Sequence, residues 1–202
     1  QKINALSEKL NHEGMHVIGV AAKRKNAGDT AVFHAEDETD MTFLGIIAFL
    51  DPPKPDAKEA IHGLYDAGVQ VKVISGDAPV VVEHVCKLVG MKVGEQNAVT
   101  GSDLEKMSEE ELSAVVEKKD IFARLSPMQK QRVVDALRKN GHVVGYMGDG
   151  VNDAPSLHDA DVGISVDNAT DVAKASADII LLEKSLTVIL NGIYEGRRIY
   201  GN

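Results

Sequence analysis

Apolar and polar positions follow different patterns before and after a proline-rich connector. In the first part, apolar residues recur at helical spacing over 2–13 and Gly14 follows, which predicts a helix with a glycine stop. Two apolar runs, 15–22 and 41–50, predict strands, and the polar stretch 23–40 between them has no clear period. This part of the chain therefore predicts a small α+β unit.

The connector has the sequence DPPKP, residues 51–55. Its prolines fix φ and remove backbone donors, so neither a helix nor a strand ladder can continue through it. We predict a domain boundary here, between residues 1–50 and residues 51–202.

Helical and strand-like patterns alternate after the connector. The predicted helices are 56–67, 79–89, 108–118, 127–140 and 186–200, with capping boxes at the start of the third and fourth. The predicted strands are 69–74, 121–123, 142–147, 162–166 and 179–182, with short helices between the last three. This alternation predicts an α/β fold with a doubly wound, mostly parallel sheet.

The strongest candidate for chemistry is the sequence GDGVNDAP, residues 148–155, which follows the predicted strand 142–147. Ligands of open α/β sheets bind at the carboxyl ends of the strands. Asp149 and Asp153 supply the hard oxygen ligands that Mg²⁺ prefers, and the glycines let the backbone approach a ligand. The same residue types also form ordinary surface turns, so this loop alone favours a Mg²⁺ site and a turn about equally.

Two further segments belong to the same predicted edge of the sheet. Ser75, Gly76 and Asp77 follow the strand 69–74, and their hydroxyl and backbone amides can bind phosphoryl oxygens. Lys130 lies near the start of a helix, where its ammonium can neutralise charge that develops during phosphoryl transfer. Taken singly, these are more simply a strand-to-helix turn and a solvated lysine. Their order and spacing relative to the acidic loop predict a phosphate site.

Composition restricts which classes of binding partner and which cellular compartment the chain is expected to have. The chain has 31 acidic and 22 basic residues, a formal charge of -9 and no basic cluster, which argues against nucleic acid. The single cysteine, Cys86, suits a reducing, cytoplasmic setting. The longest apolar run, 42–50, is shorter than the about 20 residues that a membrane helix needs. Because the chain begins at Gln1, we expect it to be a piece of a longer protein.

Together these motifs resemble those of a known family. The sequences DPP at 51–53, SGD at 75–77 and GDGVNDAP at 148–155, with Lys130, are similar to the phosphorylation domain of P-type cation-transporting ATPases. The acidic octapeptide is a highly specific signature of that family, and the resemblance covers essentially the whole chain.

The resemblance extends to one branch of that family. ADIILLEKSL at 177–186 and EGRR at 195–198 are similar to the bacterial magnesium-transporting branch. The resemblance to the family implies a haloacid-dehalogenase-like phosphorylation domain over 51–202, which ends at the start of a membrane stalk helix. Residues 1–50 would then be the tail of the nucleotide-binding domain.

The resemblance also implies cofactors, partners and location. Mg²⁺ and ATP are the implied cofactors, with most of the ATP pocket outside these residues. The implied partners are the remaining domains of the same pump and, through the parent protein, the membrane. The chain would be a cytoplasmic domain of a plasma (inner) membrane protein.

Site roles are implied residue by residue. The implied metal-site carboxylates are Asp149, a Mg²⁺ ligand, and Asp153, which with Asn152 organises the metal and water. Lys130 is the implied charge stabiliser. The implied phosphate and nucleotide contacts are Ser75, Gly76 and Asp77.

The chain departs from the family pattern in two ways. Ser75 stands where the family usually has threonine, a change that keeps the hydroxyl. The nucleophile motif DKTGT, whose aspartate accepts the γ-phosphoryl group, occurs nowhere in the chain. The strand that carries it is central in the family's sheet. We therefore expect a gap between the strands that end at Ile74 and Met147, and no ATPase activity from the isolated chain.

The implied function is the catalytic cytoplasmic part of an ATP-driven cation pump that works through an aspartyl phosphate. Magnesium as the transported ion follows from the resemblance alone. The alternatives are a stand-alone phosphatase of the same fold, a pump for protons or another cation, and a non-catalytic binding module. The absent nucleophile strand and the proline connector argue against the phosphatase.

Overall fold

The structure is a computed structural model that describes residues 2–24, 34–50, 52–94, 97–183 and 185–201. Asp51 and Lys184 lie outside the described residues, as does the segment 25–33 of the polar stretch 23–40. The chain divides into two compact units, residues 1–51 and 52–202. The identities assigned to the two predicted domains stay predictions.

Among its described residues, the first unit contains one α-helix, a single turn of 3-10 helix (Ala35–Asp37) and a two-stranded sheet. Helix α1 (Lys2–His12) is followed by Gly14, whose φ of +82° is a conformation that glycine adopts readily. Strands β1 (His16–Ala22) and β2 (Thr42–Phe49) pair antiparallel. The predicted helix, its glycine stop and both predicted strands are therefore confirmed.

The second unit alternates strands and helices. Its helices are α2 (Ala57–Asp66), α3 (Pro79–Leu88), α4 (Gly101–Leu104), α5 (Glu109–Lys118), α6 (Pro127–Lys139), α7 (Ala154–Asp159), α8 (Asp171–Ala175) and α9 (Thr187–Tyr200). Its strands are β3 (Val73–Ile74), β4 (Ala98–Thr100), β5 (Ile121–Ala123), β6 (Gly145–Met147), β7 (Val162–Val166) and β8 (Ile179–Leu181). None of the described helices is both long and apolar enough to cross a membrane.

The six strands found among the described residues of this unit form two parallel, three-stranded sheets, in the orders β3-β5-β4 and β6-β7-β8. Ile74 and Val144 each pack against buried residues of both sheets, so the two cores meet. Within the described residues, however, no ladder joins β3 to β6. The predicted parallel α/β architecture is confirmed, and the sheet is interrupted between the two strands where we expect a gap.

Two predicted strands are too long. Only the last two residues of 69–74 and the last three of 142–147 are strand. β3 pairs with β5, whose first residue is Ile121, so the ladder cannot extend further back. The backbone of Val144 instead bonds Asp161: its N–H donates to the carboxylate at 2.9 Å, and its carbonyl accepts from the Asp161 N–H at 2.9 Å. Those bonds replace the predicted ladder.

Gly163, the second residue of β7, offers a test of the packing of this strand against α7. A Cβ built there lies 2.4 Å from the Leu157 carbonyl oxygen and 3.1 Å from its carbon. Backbone cannot rotate away as a side chain can, so Gly163→Ala is expected to lower the free energy of unfolding by about 2–3 kcal/mol. Denaturant unfolding of purified protein measures this.

The matched control for that measurement is Gly192→Ala, inside α9, where an added Cβ meets nothing within 4 Å. Because alanine is the better helix former, it is expected to raise stability by about 0.5–1 kcal/mol. A Gly163→Ala protein as stable as the parent would show that β7 and α7 are not packed as described.

Candidate active site

The acidic loop is anchored at its start to the neighbouring strand β7. The N–H of Gly148 donates to the Ile164 carbonyl at 3.1 Å, and the Ser165 hydroxyl donates to the Gly148 carbonyl at 2.9 Å. A Cβ on Gly148 would lie 2.5 Å from the Cβ of Asp153. Glycine is thus required at position 148, because the loop folds Asp153 back against it.

Asp153 and Lys130 form the best-defined contact of the candidate site. The Lys130 Nζ lies 2.8 Å from Asp153 Oδ1, and the two side chains are only 12% and 14% exposed. The Tyr146 hydroxyl donates to the same oxygen at 3.0 Å, and the Gly150 N–H donates to Oδ2 at 3.2 Å. Both carboxylate oxygens of Asp153 therefore accept hydrogen bonds from the protein.

These contacts set the charge of Asp153. Burial alone would raise the pKa of its carboxyl, but the hydrogen bond and positive charge of Lys130, together with the bonds from Tyr146 and Gly150, outweigh burial and hold the pKa below its usual value. Asp153 is therefore ionised at neutral pH. An ionised carboxylate whose oxygens also accept hydrogen bonds from Tyr146 and Gly150 can hold the ammonium of Lys130 in a fixed position.

Asp149 is held by its backbone and presents its side chain to solvent. Its carbonyl accepts hydrogen bonds from the N–H of Thr170 at 3.0 Å and from the Thr170 hydroxyl at 3.3 Å. Its side chain is exposed, and no hydrogen bond or ion pair engages its carboxylate in the described part of the chain. Asp149 thus offers oxygen ligands from a fixed backbone.

The Ser75 segment forms a tight turn directly after β3. The Ser75 hydroxyl donates to Asp77 Oδ2 at 3.1 Å and accepts from the Asp77 N–H at 3.1 Å. The N–H of Arg124 donates to the Asp77 carbonyl at 2.9 Å, and the N–H of Leu125 donates to the Ser75 carbonyl at 3.0 Å. Gly76 is exposed at the tip. The turn is therefore fixed against the loop that follows β5.

That loop connects the Ser75 turn to Lys130. Leu125, bonded to Ser75, is followed by Ser126, whose hydroxyl caps α6 by accepting from the Gln129 N–H at 3.4 Å. Lys130 is in the first turn of α6 and extends to Asp153. The three predicted segments are thus joined through α6, whereas the exposed Asn152 side chain has no hydrogen-bond partner in the described ranges.

The donor chemistry fits Mg²⁺ at Asp149. Among the described residues no group of three or more His, Cys, Asp or Glu side chains is placed to hold a metal ion. A single available carboxylate on a glycine-flanked loop suits Mg²⁺, which is commonly bound by one or two carboxylates together with phosphate oxygens and water. The contacts of Asp153 favour a role in holding Lys130.

Two contacting residues escaped sequence reasoning. Tyr146 lies within an apolar run, where a tyrosine is expected to be core, and Thr170 is a helix N-cap whose hydroxyl also accepts from the Ala173 N–H at 3.3 Å. For Tyr146, the sequence offered one signal only: a side chain with a hydroxyl group, seven residues before Asp153. The position of Thr170 beside Asp149 depends on packing of α8, which no local pattern encodes.

Comparison of the sequence with known proteins finds a matching family model and several similar proteins. Residues 8–161 match the family model described as haloacid dehalogenase-like hydrolase. The chain is 50% identical over 199 residues to the magnesium-transporting ATPase, P-type 1, of Salmonella typhimurium strain LT2, and 48% identical over 204 residues to that of Escherichia coli strain K12. It is 37% identical over 199 residues to the calcium-transporting ATPase of Bacillus subtilis strain 168.

These alignments cover 98%, 100% and 98% of the chain, but the chain spans only 22% of the length of each of these curated relatives. The resemblance to P-type cation-transporting ATPases, and to their magnesium-transporting branch, is confirmed by them. 

Proposed function

Because this chain belongs to the haloacid dehalogenase-like hydrolases, we propose that it is a phosphoryl-transfer part of an ATP-driven cation pump whose cargo is magnesium. The observation that carries the proposal is the Lys130–Asp153 ion pair of 2.8 Å, whose carboxylate follows the exposed Asp149 by four residues on the same loop. A fixed cation beside an available hard-oxygen ligand suits transfer of a phosphoryl group, in which catalysis is mostly positioning and charge stabilisation.

Each side chain has a separate role in this proposal. Asp149 would hold the resident Mg²⁺, which when bound supplies positive charge to the phosphoryl oxygens. Asp153 keeps Lys130 oriented, and the Lys130 ammonium stabilises the charge that develops during transfer. Asn152, exposed on the same loop, would help to order water.

The Ser75 turn would bind the phosphoryl group from the other side of the gap. The backbone amide of exposed Gly76 is a donor of the kind that cradles phosphate oxygens, and the Ser75 hydroxyl can donate to one once its hydrogen turns away from Asp77. Asp77 orients the Ser75 hydroxyl through two hydrogen bonds of 3.1 Å. Within the proposal, this turn contacts phosphate and nucleotide, with most of the ATP pocket supplied by the rest of the protein.

The interrupted sheet supports a role inside a larger protein. β3 and β6 each pair on one side only among the described strands, so an additional parallel strand could bond both. We propose that a strand carrying the nucleophilic aspartate lies there, in a segment outside this chain. The similarity to relatives named magnesium-transporting ATPases favours the pump over a stand-alone phosphatase.

The first unit has an exposed apolar surface of the kind that other domains of the same protein would cover. Its two-stranded sheet leaves large apolar side chains about half exposed or more: Ile18 54%, Leu44 65% and Ile47 57%. A two-stranded sheet alone is marginally stable in water. We propose that this unit is the tail of a nucleotide-binding domain, that the remaining domains of the pump cover it, and that both units lie on the cytoplasmic side of the plasma (inner) membrane.

The cargo is inferred from relatives. Identity is 46–50% to proteins named magnesium-transporting ATPases and 37–38% to relatives named for calcium or for cations in general. Uptake of Mg²⁺ by vesicles that contain the complete protein tests the cargo. Transport of a different cation in its place would replace magnesium in the proposal and leave the phosphoryl chemistry unchanged.

The phosphoryl chemistry is tested with ATP labelled in the γ position. The complete protein is expected to form an acid-stable, hydroxylamine-labile phosphoenzyme, as an acyl phosphate on aspartate does. The isolated chain of 202 residues is expected to take up no label and to hydrolyse no ATP, because it lacks the nucleophile motif. Either label on the isolated chain or its absence from the complete protein would overturn the proposal.

A further inference from the structure

Tyr146 is a buried tyrosine whose hydroxyl reaches into the candidate site. It is the central residue of β6 and only 7% exposed, between the exposed residues Gly145 and Met147. Its ring packs in the cluster that contains Val134 of α6 and Leu157 of α7. The hydroxyl nevertheless donates a hydrogen bond of 3.0 Å to Asp153 Oδ1. The core thus holds the ring while the polar tip contacts the carboxylate.

The same carboxylate oxygen binds Lys130. Asp153 Oδ1 accepts from the Lys130 ammonium at 2.8 Å and from Tyr146 at 3.0 Å, while Oδ2 accepts from the Gly150 N–H at 3.2 Å. These three donors come from a helix, a strand and a loop. A carboxylate bonded from three directions cannot rotate freely about its Cβ–Cγ bond, so the position of Lys130 depends on all of them.

Packing alone does not require the hydroxyl of Tyr146. A phenylalanine would fill the same ring volume in this cluster, without a polar group to satisfy. Burying a hydroxyl costs free energy unless it is hydrogen-bonded, and the bond to Asp153 satisfies the hydroxyl of Tyr146.

The hydroxyl of Tyr146 remains a donor at physiological pH. Burial, and then the negative charge of Asp153, raise the pKa of the phenol well above its usual value, and the bond it donates to Asp153 raises it further. A deprotonated phenol beside this carboxylate would repel it. The phenol is therefore protonated at neutral pH and can donate the hydrogen bond to Asp153.

We propose that Tyr146 is a positioning residue for phosphoryl transfer: its hydroxyl fixes the Asp153 carboxylate, which in turn holds the Lys130 ammonium in place. The inference rests on the proposed function of the Lys130 site. Tyr146 itself touches no reacting atom. Its effect reaches the chemistry through the shared oxygen Asp153 Oδ1 and then through Lys130.

The test removes only the hydroxyl. Tyr146→Phe in the complete protein is expected to slow phosphoenzyme formation from ATP on the order of 10-fold at saturating ATP and Mg²⁺, which is the effect of one hydrogen bond to a charged group. The KM for ATP is expected to stay within about twofold, because Tyr146 does not contact the nucleotide. Single-turnover labelling, normalised to the folded fraction from thermal unfolding, gives both quantities.

Two comparisons separate positioning from a structural role. The matched control is Tyr194→Phe on α9, where the tyrosine is 48% exposed; its rate should equal that of the parent. In a Lys130→Ala background, Tyr146→Phe should change the rate less than twofold, because the group that it positions is absent. Equal slowing by Tyr146→Phe with and without Lys130 would show a general structural effect and overturn the inference.

Failure of this inference can be distinguished from failure of the proposed function. If Lys130→Ala slows labelling strongly while Tyr146→Phe matches Tyr194→Phe, the site functions as proposed and Tyr146 does not position it. If Lys130→Ala itself labels at the parent rate, the proposed site is wrong, and the role of Tyr146 is overturned with it.

Discussion

Asp149→Asn is expected to abolish phosphoenzyme formation from ATP in the complete protein. The substitution keeps the size of the side chain and the backbone bonds to Thr170, but it removes the negative charge that Mg²⁺ needs from its ligand. Without the metal in place, the phosphoryl oxygens lose their main positive charge, and the rate should fall by a factor on the order of 10³ or more. Labelling from γ-labelled ATP over a Mg²⁺ titration measures the loss.

The matched control for Asp149→Asn is Asp171→Asn in the first turn of α8. Its side chain is fully exposed and forms only a 3.5 Å surface ion pair with Lys174. The control removes the same charge near the same loop, so it should label within about twofold of the parent, since exposed pairs contribute little. Normal labelling of Asp149→Asn would exclude Asp149 as the metal ligand. Equal loss in both variants would point to the overall charge of the region.

The helices of the second unit were largely predictable because their ends are encoded locally. Ser108 and Ser126 cap α5 and α6 as their capping boxes predict, and Gly68 and Gly141 follow α2 and α6 with φ of +73° and +89°. Each signal involves side chains and backbone within one turn of the helix end. A single sequence therefore contains the information needed to place these ends.

The strands were predicted less completely, because their extent depends on partners distant in sequence. The three-residue strand β4 and the short helix α4 after it were not predicted, because Ala98, Val99 and Thr100 do not form an apolar run of the kind that marks β5. β4 is a strand because Ala98 and Thr100 pair in register with Ile121 and Ala123 of β5. That register is a tertiary property.

In the candidate site, too, some features could be predicted from local sequence and others depend on tertiary packing. Residue types and order predicted that Lys130 and the acidic loop share an edge of the sheet, a prediction with which the geometry agrees. The pairing of Lys130 with Asp153, 23 residues apart, depends on how α6 packs against that loop. The contribution of Tyr146 was hidden for another reason: its ring satisfies the apolar pattern, and the direction of its hydroxyl is known only once β6, α6 and α7 are assembled.

Lys130→Ala is expected to lower turnover of the complete protein on the order of 10²-fold or more, the loss seen when a preorganised charge-stabilising donor is removed. The Lys130 side chain is 12% exposed and its ammonium is bonded to Asp153, so the position of the ammonium is set before substrate binds. Water that replaces it would have to be ordered during the reaction. ATP hydrolysis and phosphoenzyme formation at saturating ATP and Mg²⁺ are the measurements.

The matched control is Lys139→Ala in the last turn of the same helix, where the lysine is 70% exposed and lies 3.7 Å from Glu109. It should stay within twofold of the parent. Lys130→Met serves as a second variant: it keeps the unbranched stem that packs against the site, so a loss equal to that of Lys130→Ala assigns the effect to the charge. An effect of Lys130→Ala below twofold would remove Lys130 from the site.

Lys130 also predicts a pH dependence of stability. The Lys130 charge helps to hold the pKa of Asp153 below its usual value, so the ionised carboxylate stabilises the fold above the usual aspartate pKa of about 4, and this stabilisation is lost as pH falls through the lowered pKa. Lys130→Ala raises that pKa again. Its stability should therefore change less than that of the parent between neutral and acidic pH, whereas Lys139→Ala should keep the parent's profile. The lost turnover and the flattened profile would then have one cause, the ion pair with Asp153.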